Sequence, residues 1–132
     1  MKKALNKNLK TFSLTGGFSV GKTFITNILA GTGFQSGETV HTSGISLYVS
    51  NKIVFIDTAG SGNPVLHTRE HILDRRLTDY YIEKVVSDTS QQHIYVINRM
   101  NNLIQEKLMV MKERTEKTIV LIHNLRNIKT ME

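Results

Sequence analysis

Apolar and polar positions alternate along the chain in short runs of two periods. Residues 11–15 (Thr-Phe-Ser-Leu-Thr) alternate and are rich in β-formers, which predicts a short buried strand. Phe24, Ile25, Ile28 and Leu29 recur at helical spacing and predict a helix over 22–30 with that row as its apolar face. Residues 31–45 are rich in glycine and hydroxyl side chains and predict a long loop. Ser46–Ser50 and Lys52–Asp57 read as a hairpin turning at Ser50–Asn51, and the continuous apolar run Ile53-Val54-Phe55-Ile56 belongs at the centre of a sheet. A loop over 61–69 carries the only proline, Pro64. Glu70–Asp88 then places Ile72/Leu73, Leu77, Tyr80/Tyr81 and Val85/Val86 at helical spacing. His93–Asn98 reads as a strand, 101–116 as a helix with Leu103/Ile104, Leu108 and Met111 inward, and Thr118–His123 as the last strand. Strands that alternate with helices predict an α/β fold with a mostly parallel sheet of order 2-3-1-4-5 flanked by helices.

The junction between the first strand and the first helix carries the clearest chemistry. Gly16-Gly17-Phe18-Ser19-Val20-Gly21-Lys22-Thr23 fits the Gly-x4-Gly-Lys-Ser/Thr phosphate loop, in the strand–loop–helix context that this motif requires. Glycine lets the backbone turn sharply and approach an anion, and the loop amides with the helix N-terminus then face phosphate oxygens. Lys22 is expected on the β- and γ-phosphates, and the Thr23 hydroxyl on the Mg²⁺ that bridges them. The central strand ends at Asp57-Thr58-Ala59-Gly60. A carboxylate at the C-terminal end of a buried strand lies where α/β sheets place ligands, which makes Asp57 the second expected metal partner.

Bulk composition narrows the classes without choosing among them. The 132 residues suffice for one domain with a core. There is no cysteine, so disulfides and thiolate zinc sites are excluded. No stretch approaches the ~20 apolar residues of a membrane span, and the N-terminal lysines are not followed by the apolar run of a secretory signal. A cytoplasmic setting is the expectation. The net charge of +6 would suit nucleic acid. Against that, Lys2, Lys3, Lys7 and Lys10 lie in an N-terminal stretch, residues 1–10, expected to be a flexible arm. Lys107, Lys112, Arg114 and Lys117 alternate with Glu106, Glu113 and Glu116, the pattern of a solvated face, so nucleic acid is not the expected partner.

After the phosphate loop come Asn27-Ile28-Leu29-Ala30-Gly31, Gly33-Phe34, Gly37, Thr39-Val40 and His41-Thr42-Ser43-Gly44-Ile45, and later Asp57-Thr58-Ala59-Gly60-Ser61-Gly62. In this order the pieces resemble the GTPase (G) domain of the dynamin superfamily, closest to the guanylate-binding protein and atlastin group. The likeness is clear over about 60 residues. It implies the Ras-like G-domain core of the phosphate-loop NTPases, here a partial domain over 1–132 that lacks the last strand and helix. It implies GTP and GDP as ligands with Mg²⁺, and a nucleotide-dependent homodimer as partner. Thr42 then resembles the switch threonine that closes on Mg²⁺ and the γ-phosphate, and the Gly60 N–H the sensor of that phosphate. Gly16, Gly17, Phe18, Ser19, Val20, Gly21, Lys22, Thr23 and Phe24 form the implied nucleotide-contacting run. Catalysis falls to Ser19, Lys22, Thr42 and Gly60.

The base-reading stretch Asn124-Leu125-Arg126-Asn127 blends two patterns: Asn124 matches the Asn-Lys-x-Asp of small GTPases, and Leu125-Arg126 matches the Leu-Arg-Asp of guanylate-binding proteins. Asn124, Arg126 and Asn127 are the implied base contacts. Asn127 stands where both families have Asp, and an amide offers guanine one acceptor face beside an opposing donor. Ser19 stands where guanylate-binding proteins have a catalytic arginine, and Ser61 where small GTPases have glutamine. Arg69, Arg75 and Arg76 are candidates for the missing charge. The leading reading is a Mg²⁺-dependent switch that hydrolyses GTP slowly. The alternatives are a non-hydrolysing nucleotide-binding interaction module, or a phosphate-loop ATPase or kinase with relaxed base preference.

Overall fold

Short β-branched runs joined by helices bury both faces of a strand best when the strands pair in parallel between helical layers. A computed structural model describes residues 9–33, 44–62 and 69–125. Its elements are β1 (Lys10–Gly16), α1 (Lys22–Ala30), β2 (Ile45–Ser50), β3 (Ile53–Thr58), α2 (Arg69–Thr89), β4 (Gln92–Ile97), α3 (Asn102–Arg114) and β5 (Ile119–His123). The five strands form one sheet in the order β2-β3-β1-β4-β5, with β2 antiparallel to β3 and every other pair parallel. The fold class and the strand order read from the sequence are therefore the observed ones. β1 begins at Lys10, so the last residue of the expected N-terminal arm belongs to the sheet; residues 1–8 lie outside the described residues.

Local chemistry sets the element ends. Asn51 and Lys52 both have positive φ, 47° and 65°. That is the pairing of a two-residue turn whose twist suits a hairpin, and asparagine tolerates it well. The turn thus sits one residue later than the predicted Ser50–Asn51. α3 starts where the Asn101 side chain accepts the Ile104 N–H at 2.9 Å. α1 ends at Gly31, whose φ of 65° lets its N–H close on the Asn27 carbonyl.

The apolar core lies between the sheet and α1. Leu14, Phe55, Ile94 and Val96 meet Ala30 there, with Phe12, Ile25, Tyr48 and Ile122 around them. Of the row predicted for α1 only Ile25 packs inward; Phe24, Ile28 and Leu29 are exposed. The buried row is Lys22, Thr26 and Ala30. Lys22 is placed by the loop that precedes it, and residues four and eight positions on must share its face. The Thr26 hydroxyl is satisfied there by the Lys22 carbonyl at 3.1 Å.

α2 departs in the same way. Ile72, Leu73, Leu77, Tyr80, Tyr81 and Val85 are exposed, and the inward row is Arg75, Asp79, Ile82, Glu83 and Val86. The helical period was legible, but the apolar stripe does not mark the sheet-facing side. In α3, Ile104, Leu108 and Met111 are half-buried as expected, while Leu103 is exposed.

The sheet surface beneath α2 and α3 carries a polar buried chain. Ser13 Oγ meets Ser90 Oγ at 2.7 Å and His93 Nδ1 at 2.8 Å, and Thr15 Oγ1 meets His93 Nε2 at 2.9 Å. Burial holds the His93 imidazole down to about 4, helped by the charges of Lys117 and Lys107. Lys117 Nζ donates to the Ser87, Asp88 and Ser90 carbonyls at 2.8, 3.0 and 2.7 Å, where a cation suits the C-terminal end of α2.

Candidate phosphate-binding site

The loop between β1 and α1 lies at the C-terminal edge of the sheet, beside the end of β3. This is where a parallel sheet leaves a crevice for ligands. Ser19 takes φ 57° and Gly21 φ 87°, so the chain coils through the left-handed region twice before the helix begins. Gly21 has a second constraint: a Cβ there would lie 2.5 Å from Asn124 Nδ2. Asn124 holds the loop from outside, donating from Nδ2 to the Val20 carbonyl at 2.9 Å. Its backbone N–H is bound to the Ile97 carbonyl at 2.7 Å, which fixes it between the ends of β4 and β5.

Lys22 opens α1 and is buried, 7% exposed. Its Nζ donates to the Gly17 carbonyl across the loop at 2.9 Å. An ammonium has three donors, so two remain for an anion. Burial lowers the Lys22 ammonium to about 8, against the opposing pull of Asp57 and Asp79. A buried, partly desolvated cation on a turn that coils through positive φ suits an anion.

Asp57 is fully buried, and its Oδ2 accepts the Thr23 hydroxyl at 2.6 Å. β1 and β3 bring the two together: Leu14 and Asp57 are register partners, and Thr23 lies one residue into the helix that follows β1. The hydroxyl donates its hydrogen to the carboxylate, and a hydroxyl oxygen has the lone pairs to act as a metal ligand. A carboxylate and a hydroxyl side by side are hard oxygen donors of the kind that Mg²⁺ takes. The donor set therefore fits the expected metal.

The turn after Asp57 closes onto the loop. The Phe18 N–H donates to the Ser61 carbonyl at 2.8 Å, and the Ser61 N–H donates to the Gly16 carbonyl at 3.1 Å. Gly60 packs against the same backbone. Arg75 Nη2 donates to the Gly60 carbonyl at 3.3 Å, and its Nε pairs with Asp79 Oδ1 at 3.0 Å.

The structure thus gathers Gly16 to Thr23, Asp57, Gly60 and Asn124 into one place. Phe24, expected to touch nucleotide, is on the exposed side of α1. Arg76 is exposed, and Arg75 is engaged by Gly60 and Asp79. Thr42, Arg126 and Asn127 lie outside the described residues, as does the side chain of Arg69. Sequence reasoning missed the tie between Arg75, Asp79 and the 60–62 turn. The one available signal was the Arg–Asp spacing of four on a helix.

No protein-family model matches the chain. A heat shock protein of Dictyostelium discoideum is 27% identical over 141 aligned positions that cover 96% of this chain. The chain spans about one fifth of that protein's length, 21%. Among solved structures, a septin GTPase domain from Chlamydomonas reinhardtii superposes with TM-score 0.51 at 11% identity, over 92% of this chain and 55% of that one. The G domain of the T. maritima FeoB iron transporter gives TM-score 0.48 at 21% identity, over 86% of this chain and 70% of that one. The septin likeness and the strand order show the fold alone, an α/β core built on a mostly parallel five-stranded sheet.

Proposed function

We propose that this chain is the nucleotide-binding part of a cytoplasmic guanine-nucleotide switch that binds GTP and GDP with Mg²⁺ and hydrolyses GTP slowly. One observation carries the reading. Buried Lys22 at the start of α1, and Thr23 joined to Asp57 at the end of β3, lie beside a loop that coils through positive φ. That gathers an anion-seeking cation and a cation-seeking oxygen pair at one place.

In this reading the loop amides and Lys22 bind the phosphate chain. Thr23 and Asp57 hold Mg²⁺, joined by Thr42. When bound, Mg²⁺ would supply positive charge that offsets the negative charge of the phosphates. Ser19 and Thr42 organise the γ-phosphate side, and Asn124 holds the loop in shape through Val20. The guanine preference rests on the resemblance, on Asn124 to Asn127, and on a fold shared with a septin GTPase domain. A nucleotide-dependent homodimer follows from the same resemblance.

A second reading, a non-hydrolysing binding module, is favoured by the engagement of Arg75 away from the loop. An arginine at the transition state is worth about 10³–10⁵ in rate. Single-turnover hydrolysis of GTP with Mg²⁺ separates the two readings.

The test is Lys22→Ala with titration of GDP across pH. The variant is expected to lose tight binding and keep its circular-dichroism spectrum. In the parent, a nearby phosphate restores the proton that burial weakens, so affinity is greatest below pH 8 and falls as pH rises through the folded value of about 8. The expected loss is roughly tenfold between pH 7 and pH 9, and Lys22→Ala should show no such slope. A variant that binds as tightly as the parent would sink the assignment.

A further inference from the structure

One helix holds both ends of the turn that follows Asp57. Arg75 Nη2 donates to the Gly60 carbonyl at 3.3 Å, and Asp79 Oδ2 accepts the Gly62 N–H at 2.9 Å. The two side chains are four residues apart on one face of α2 and pair with each other at 3.0 Å. They are largely shielded, with 27% and 12% of their side-chain surface exposed. The pair is an ionic contact, and in such a place charges attract more strongly than in water. Between the two anchors, Ser61 is zipped to the phosphate loop by a bond on each side of its peptide, through Phe18 N–H and the Gly16 carbonyl.

The approach at Gly60 is closer than any side chain would permit. A Cβ there would lie 2.4 Å from Phe18 Cα and 2.8 Å from Phe18 N. Three consecutive residues thus join α2 to the loop. This closed arrangement occupies the Phe18 N–H, a donor of the very loop whose amides would meet a phosphate chain. It also lays the Ser61 carbonyl oxygen against that amide. A diphosphate asks for fewer donors than a triphosphate, and Lys22 keeps two of its three. A third phosphate brings further negative charge to a rim already lined by a carbonyl oxygen and short of one donor.

We propose that Arg75 and Asp79 form a clamp that keeps residues 60–62 closed on the phosphate loop, so that the protein prefers nucleoside diphosphate and must release the clamp to take triphosphate. The inference rests on the guanine-nucleotide reading above. Arg75 is in this view a positioning residue: its charge holds the Gly60 carbonyl and the Asp79 carboxylate. The clamp sets the ratio of the two affinities, because only the triphosphate must open it.

The experiment is calorimetric titration of the full chain with GDP and with a non-hydrolysable GTP analogue, each with Mg²⁺. The parent, Arg75→Ala, Arg75→Lys, Asp79→Ala and Asp79→Asn are compared. The parent is expected to bind GDP more tightly. Both alanine variants should shift the ratio toward the analogue by about tenfold, and Arg75→Lys should restore part of the parental ratio. Should an alanine variant fail to fold by circular dichroism, Asp79→Asn keeps an acceptor for the Gly62 N–H, loses the ion pair, and should shift the ratio in the same direction. A role in stability alone would weaken both nucleotides equally; an unchanged ratio in the folded variants overturns the clamp. So does a parent that binds GDP and the analogue equally. A parent that binds neither overturns the guanine-nucleotide reading itself, and the clamp with it.

Discussion

The two faces of the sheet are built from different chemistry, although the same strands make both. Toward α1 the alternate residues are Phe12, Leu14, Phe55, Ile94 and Val96, and packing holds that side together. Toward α2 and α3 the buried alternate residues are mixed: Ile56, Tyr95 and Ile97 lie beside Ser13, Thr15, Thr58 and His93, whose hydrogen bonds add directional ties to the packing. The first arrangement draws on apolar burial, worth about 1.5–3 kcal/mol for each large side chain, and tolerates small shifts of geometry poorly only at close contact. The second returns little net energy per bond but penalises any unpaired partner. The difference assigns separate tasks. The α1 side supplies the rigid floor on which the phosphate loop stands. The α2 side carries directional contacts that reach the 60–62 turn.

The comparison predicts a graded set of effects. Leu14→Ala should be the most damaging, because Leu14 is fully buried on the packed face just before the loop. The expected loss is about 3–5 kcal/mol, read as a fall in the urea midpoint; a loss under about 1 kcal/mol would mean that the packed face is not the floor. On the polar face, His93 titrates about 4 in the folded protein against 6.5 ordinarily. The unfolded chain therefore takes the proton first. The stability this group contributes is whole above pH 6.5 and is lost as pH falls toward 4, by on the order of 3 kcal/mol. Urea unfolding of the parent should show that slope, and His93→Gln should flatten it; parallel curves would remove His93 as the acid-sensitive group. The smallest effect belongs to neither face. Ile28 is 62% exposed on the outside of α1, so Ile28→Ser should change stability by no more than about 0.5 kcal/mol. A larger loss would show that the outer row of α1 is covered in solution.

The sequence alone determined whatever depends on neighbours along the chain. The phosphate loop was legible because its residue types sit at fixed spacing between a strand and a helix, and backbone coiling at Ser19 and Gly21 is a local matter. Element order and sheet order followed from strand–helix alternation and the handedness of crossovers. Tertiary structure alone decided which side of a helix faces inward. The α1 row was misread because Lys22, held by the loop, carries Thr26 and Ala30 inward with it and turns Phe24 and Ile28 outward. The inward face of α2 is polar for a like reason: Arg75 and Asp79 meet backbone groups of residues 60 and 62, which no periodicity reports. Periodicity states that a helix has sides; only the partners brought there by the fold state which side is bound.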